Sequence, residues 1–360
     1  MKTLFKSVLS LSVIAYAAAL IIYCKEVSAG IINAVYSCLN VMIPSLYAFM
    51  VISGFIISSG IYRLFSIPFR WISAKIFKLP CELFSVFLIS SVAGYPVGAK
   101  MTGELYSSGR IDKKTAERML GFCYMGGPAF FCGTAGSHIY SNAVIGIIIF
   151  LCIFFSNTLS AILSGVRLPA PENTRIKAEL NLSLNEFLSS VYSGGAGMLK
   201  ICGAIVFFST FISIADASGF LITAASVLSD ISATDLNTCI CILKSSVEIS
   251  SISNMPADIS NLPLITALLS FGGFCVVTQA AGFIPKELST HNFYLSRILV
   301  IFLSYFCCKL VISLIDINKL VPAMTAQIGY RQISPIPSVF LLIMTILLLS
   351  NNFIAKTKKM

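Results

Sequence analysis

Long apolar runs separated by short charged stretches set the pattern of this chain. Residues 1–23, 43–59, 139–163, 194–214, 262–283, 295–315 and 338–353 are each almost continuously apolar. Runs of about 17–25 such residues match a helix that crosses a hydrocarbon core, whereas barrel strands alternate over about 10 residues. The pattern predicts an all-α membrane protein, a polytopic helical bundle. The first run follows Lys2 and Lys6 and ends near Ala17-Ala18-Ala19, features shared with a signal peptide. Because more membrane segments follow, it reads better as an uncleaved first transmembrane helix.

The interruptions carry more information. Pro44 divides residues 30–60 into an amphipathic lead, 31–42, and an apolar helix. Residues 61–78 set Arg63, Arg70, Lys75 and Lys78 among Phe65, Phe69, Trp71, Ile76 and Phe77, the pattern of a segment lying in the cytoplasmic interface. The apolar run 81–99 then ends in Ser90-Ser91-Val92-Ala93-Gly94-Tyr95-Pro96-Val97-Gly98-Ala99-Lys100. Gly94 suits a left-handed helix end and Pro96 suits the start of the next helix. The prediction is helix, break, helix, with Lys100 one turn beyond the break. In lipid, such irregular backbone must be buried in protein or line a wet cavity. The stretch that follows is again basic, with Arg110, Lys113, Lys114 and Arg118 beside Glu104, Asp112 and Glu117. If both flanks are cytoplasmic, residues 81–100 enter and leave by one face as a re-entrant hairpin. Asp112 is the expected cap of a helix over 113–125, which stops at Gly126-Gly127-Pro128.

The second half follows a similar order. An apolar stretch, 238–251, holds Lys244 and Glu248 and runs into the polar break Ile252-Ser253-Asn254-Met255-Pro256-Ala257-Asp258. Ser90-Ser91-Val92 has a counterpart in Ser245-Ser246-Val247. Gly126-Gly127 followed by Ala135-Gly136 has one in Gly272-Gly273 followed by Ala281-Gly282. The interfacial stretch is basic in the first half and acidic in the second. This predicts two inverted repeats with two re-entrant broken-helix hairpins, and a ligand site between them. The expected organisation is an N-terminal helix at 1–30, a first repeat at 31–165, a cytoplasmic linker at 166–193, a second repeat at 194–293 and C-terminal helices at 294–360.

Composition agrees: 57% of residues are hydrophobic, 11% are charged, and the mean hydropathy is +0.89. The net charge of +10 lies mostly in short loops. Arg167, Arg175, Lys177, Lys286, Arg297, Lys356, Lys358 and Lys359 place those loops and both termini in the cytoplasm, while Asp216, Asp230 and Asp235 mark an external stretch. No basic domain suggests nucleic-acid binding. The 12 cysteines form no CxxC, and His138 and His291 are far apart, so no metal, redox centre or cofactor is expected. No catalytic constellation points to an enzyme.

The candidate site is therefore a binding site for a small anionic molecule. Helix ends at Gly94, Pro96, Gly98, Gly126 and Gly127 present N–H groups, and Lys100 adds a full charge. Alternatively Lys100 reaches out to the headgroups. Tyr95 suits stacking on a planar ligand or anchoring at the interface. Ser91, Ser251 and Asn254 offer polar linings, or simply pack helices. Glu248, an acid in an apolar run, suits substrate orientation or a coupling H+ or Na+, unless it pairs with Lys244. A homo-oligomer is compatible with all of this.

The run from Ser91 to Lys100, continuing through Gly109-Arg110, Glu117-Arg118-Met119-Leu120 and Gly126-Gly127-Pro128-Ala129-Phe130, resembles the sporulation integral membrane protein YlbJ family. Ile43-Pro44-Ser45-Leu46 and residues 194–203 extend the resemblance. The family looks related to the nucleoside-recognition Gate domain shared with concentrative nucleoside transporters. The resemblance implies a role in endospore formation and transport of dipicolinic acid, a planar dianion, across the outer forespore membrane. Phe122-Cys123-Tyr124-Met125 departs from the asparagine- and serine-rich pattern of the family. The sequence also leaves open a transporter of nucleosides or other metabolites, or a non-transporting scaffold or signalling protein of spore assembly.

Overall fold

The computed structural model describes residues 2–166, 168–169, 180–315, 340, 343–344 and 346–347. The expected span at 338–353 lies almost wholly outside these, and Arg167, Arg175, Lys177, Lys356, Lys358 and Lys359 lie outside them. The described residues are helical, with no strand among them. Helix α1 (Lys2–Ile22) and helix α2 (Cys24–Ser37) meet at a sharp bend, the axis turning by 91°. A wide π turn, Cys38–Met42, leads α2 into α3 (Ile43–Ser58). Pro44 thus falls in the first turn of α3, where a missing N–H is tolerated. At Gly60 the chain turns by 84° into α4 (Ile61–Ser66), continued by short 3-10 and π turns to Ile76.

Helices α5 (Phe84–Ala93) and α6 (Val97–Ser107) flank the expected first break. Gly94 stands there at φ 84°, ψ 177°, a conformation open essentially to glycine alone. Asp112 caps α7 (Lys113–Phe122) by accepting from the amides of Lys114 and Thr115. The helix stops three residues short of the expected Met125. After Gly126-Gly127, α8 (Pro128–Phe130) widens into a π turn through Ile139, and α9 (Ala143–Gly165) follows.

Helix α10 (Leu184–Ala217) is longer than expected and begins ten residues earlier. Ser183 Oγ accepts from the Glu186 amide at 3.2 Å, half of a capping box that Ser183-Leu184-Asn185-Glu186 spells out. Helix α11 (Phe220–Ser232) turns by 116° into α12 (Leu236–Val247). Helix α12 ends before the polar break, because the backbone extends at Glu248 and then forms a 3-10 turn, Ile249–Asn254. Helices α13 (Leu262–Phe271) and α14 (Gly273–Ala281) are separated at Gly272, and α15 (His291–Leu314) completes the described fold.

Helix α3 packs along α10, and α9 packs along α15, which also covers α7 and α13. The outer faces are apolar. Leu11, Ile14 and Ile21 on α1 and Phe302, Phe306 and Leu310 on α15 are at least 60% exposed, a surface that suits lipid rather than water. Among the described residues, four helical stretches are long and apolar enough to cross a membrane, and up to seven if each bent pair counts as one span. The chain is a helical, multi-pass membrane protein.

Three arginines tie helix ends together. Arg110 donates to the carbonyls of Ile57 and Ser58 at the end of α3. Arg118 donates to Phe77, Lys78 and Ala161 carbonyls and to Ser164 Oγ. Arg297, read from sequence as part of a cytoplasmic connection, is instead buried in α15. It donates to the carbonyls of Gly121 and Tyr124 and to Asn157 Oδ1, with its guanidinium 4.8 Å from the Tyr124 ring centroid. A cation suits carbonyls at a helix C-terminus, because they carry the negative end of the dipole.

Candidate functional site

The breaks converge in two packed pairs. A Cβ on Gly94 would stand 2.9 Å from the Gly127 amide nitrogen, and one on Gly127 would stand 2.8 Å from the Val92 carbonyl. In the second half, a Cβ on Gly273 (φ 76°) would stand 2.9 Å from the Ser245 carbonyl oxygen. Two tyrosines join the pairs. Tyr95 donates to the Leu269 carbonyl, and Tyr124 donates to the Phe271 carbonyl at 2.9 Å. Their ring centroids are 5.1 Å apart. Gly94, Tyr95, Pro96, Gly98, Gly126 and Gly127 are thus brought together, all buried against protein. Ser91, also buried, donates to the Phe87 carbonyl of its own helix.

Lys100 leaves this junction towards Glu104, which lines an open cavity. It is the fourth residue of α6, and its side chain is only 4% exposed. Its Nζ lies 2.8 Å from Glu104 Oε1, yet it is aligned for a hydrogen bond with no acceptor among the described residues. An ammonium so far removed from water is costly unless it is paired, and Glu104 is its partner. Lys100 and Glu104 share a helix face because they are four residues apart.

The cavity beside them has a volume of about 780 Å³, within the usual range for small-molecule sites. Helix α3 supplies Gly54, Ile57 and Ser58 to its wall. A Cβ on Gly54 would stand 3.1 Å from Lys100 Nζ, so this glycine leaves room for the ammonium just behind the cavity wall, and none of the ligand-binding residues expected from sequence lines the cavity itself. Helix α10 supplies Glu186, Ser189, Ser190 and Ser193, whose three- and four-residue spacing puts them on one face. Ser193 Oγ donates to Glu104 Oε1 at 3.3 Å. Arg63, Ser108, Arg110 and Asn181 line the mouth. Arg63 is already paired with Glu82 at 3.3 Å, and Arg110 is held by the end of α3. Lys100 is likewise paired, with Glu104, and lies just behind the wall that Arg63 and Arg110 line.

The remaining candidates sit elsewhere. Glu248 is buried, and both its carboxylate oxygens accept from the Ser250 amide, at 3.2 and 3.1 Å. It caps the 3-10 turn that carries Ser251 and Asn254. Lys244 is not its partner but pairs with Asp216 at 2.9 Å. Lys100 pairs with Glu104, so the structure does not join Lys100 to Glu248. Ser251 is half-buried, and Asn254 is exposed, donating to the Ser251 carbonyl at 3.4 Å.

Gly54, Glu104, Ser190 and Ser193 were not singled out from sequence. Three of the four lie in or beside segments read as a plain span or a linker. The capping box at Ser183 was the signal that places the serines on a helix.

No protein-family model matches this chain, and no solved structure matches it. Over 294 residues the chain is 24% identical to the sporulation integral membrane protein YlbJ of Bacillus subtilis (strain 168), covering 72% of this chain and 71% of that protein, and this similarity supports the resemblance to the YlbJ family.

Proposed function

We propose that this protein is a sporulation-associated transporter of a small organic anion, dipicolinate foremost, with no enzymatic activity. The observation that carries the reading is the pair Lys100 and Glu104: a buried ammonium 2.8 Å from a carboxylate that lines a polar cavity of about 780 Å³. A carboxylate entering this cavity meets Arg63 and Arg110 in the wall, and the Lys100 ammonium lies behind Gly54. The similarity to a sporulation membrane protein supports the setting. The outer forespore membrane, with both termini cytoplasmic, follows from the resemblance and from the basic loops.

The architecture fits alternating access. The order α3, bend, α4, hairpin α5–α6, broken helix α7–α8 and long helix α9 has a parallel in α10, α11, α12 with the 3-10 turn after it, broken helix α13–α14 and long helix α15. Corresponding members pack together, α3 on α10 and α9 on α15. This order supports the reading of two inverted repeats with re-entrant hairpins.

A nucleoside transporter is the second reading. Glu104, Glu186 and Asn181 in the wall favour it, since they suit a neutral ligand rich in donors. Binding of labelled dipicolinate to the purified protein, with unlabelled nucleoside as competitor, separates the two. Saturable dipicolinate binding that nucleosides leave intact supports the anion. Displacement by nucleosides at lower concentration supports the second reading, and no binding of either favours a scaffold.

A further inference from the structure

Lys100 cannot meet a carboxylate with its full charge while Glu104 holds it. The two groups are 2.8 Å apart, and Glu104, unlike Lys100, is 32% exposed towards the cavity. We infer that Glu104 is the proton-carrying group of this site: it takes up a proton from the cavity as the anion arrives and so releases Lys100 to the substrate. The inference rests on the anion-binding reading above and names the coupling ion for that same site.

The neighbours favour this exchange. Ser193 Oγ, 3.3 Å from Glu104 Oε1, can turn its hydroxyl to accept from the protonated acid. The other charges facing the pair are few. Glu186 stands across the cavity on α10, with Asn181 Nδ2 3.4 Å from its Oε1. Arg110 is fixed on the carbonyls of Ile57 and Ser58, and Arg63 on Glu82. Helices α3, α5 and α14, which also pack against α6, carry no charged residue. On α7, Lys113 pairs with Glu117, Lys114 is exposed, and Arg118 is engaged with carbonyls. Lys200 on α10 points to the Gly282 carbonyl. Glu104 is the only one of these acids in contact with Lys100.

The balance is simple. One proton leaves the solution and binds a Glu104 carboxylate oxygen. One ion pair, Lys100 with Glu104, is replaced by another, Lys100 with a substrate carboxylate. On release of the anion the proton leaves and the internal pair re-forms. No covalent bond of the substrate changes.

The test is proton uptake on ligand binding, read calorimetrically with purified full-length protein and dipicolinate near pH 7 in buffers of different ionisation enthalpy. The expected result is about one proton taken up per dipicolinate bound. Glu104→Asp, which keeps an acid, should retain this proton, and Glu104→Gln should lose it. Dipicolinate binding by the wild type without proton uptake overturns the inference and leaves the transport reading standing. A proton retained in Glu104→Gln assigns it to another group and also overturns the inference. No dipicolinate binding at all by the wild type overturns both.

Discussion

Gly94, at the tip between α5 and α6, lies against Gly127, in the break between α7 and α8; a Cβ on Gly94 would stand 2.9 Å from the Gly127 amide nitrogen. Both the contact and the φ of 84° exclude a side chain. Gly94→Ala should therefore destabilise the protein by about 3 kcal/mol, combining backbone strain with overpacking. Gly203→Ala, in α10 with nothing within 4 Å of its Cβ, should be neutral or stabilising by up to about 1 kcal/mol. Thermal unfolding in detergent separates them, and equal midpoints would show that the junction is not tightly packed.

Tyr95 and Tyr124 stitch the first pair of breaks to α13 through the Leu269 and Phe271 carbonyls. Each change to Phe removes one hydroxyl and leaves a buried carbonyl short of a donor, costing about 1–2 kcal/mol. Because the rings touch, the double variant should depart from the sum of the singles by about 0.5 kcal/mol or more. A strictly additive cycle would argue against a shared junction.

Arg297 holds the end of α7 against α9 and α15. Lysine lacks the planar fork that reaches Tyr124, Gly121 and Asn157 together. Arg297→Lys should cost on the order of 2–3 kcal/mol, the range for losing charged hydrogen bonds. Lowered folded yield and an earlier unfolding midpoint are the readouts. An unchanged midpoint would mean the guanidinium contacts add nothing.

The hydrogen bond from the Thr115 side chain, with the amides of Thr115 and Lys114, holds the Asp112 carboxyl below its ordinary range. A depressed carboxylate contributes stability that is present above its unfolded pKa and lost as pH falls through the folded value. Asp112→Ala should cost about 1 kcal/mol at neutral pH. The gap between variant and wild type should stay level down to about pH 4 and close below it. A gap that persists at lower pH would contradict the capping role.

Much of this was legible in the sequence because glycine and proline are strong local signals. The breaks at Gly94 and Gly126-Gly127 and the cap at Asp112 follow from backbone chemistry that acts within a few residues, whereas residues 262–283 read as one span that Gly272 in fact divides. The end of α12 was not legible, since Val247 and Glu248 carry no breaker; there the carboxylate itself captures the Ser250 amide and stops the helix. Nor was Arg297, because a cation in a loop and a cation bonded to distant carbonyls look alike until the helices pack. Lys100 was visible from its place one turn beyond the break. Its cavity was not, because the walls come from α3 and α10, well over a hundred residues apart in the chain and joined only by the fold.

In the proposed transporter an anion reaches Lys100 and crosses the membrane. Uptake of labelled dipicolinate into vesicles containing only this protein tests it most directly. Wild type should give saturable uptake above empty vesicles, and Lys100→Gln should reduce it about tenfold or more, as expected for losing a charge-assisted contact of about 1.5–3 kcal/mol. Wild-type vesicles no different from empty ones, or Lys100→Gln transporting as well as wild type, would contradict the account.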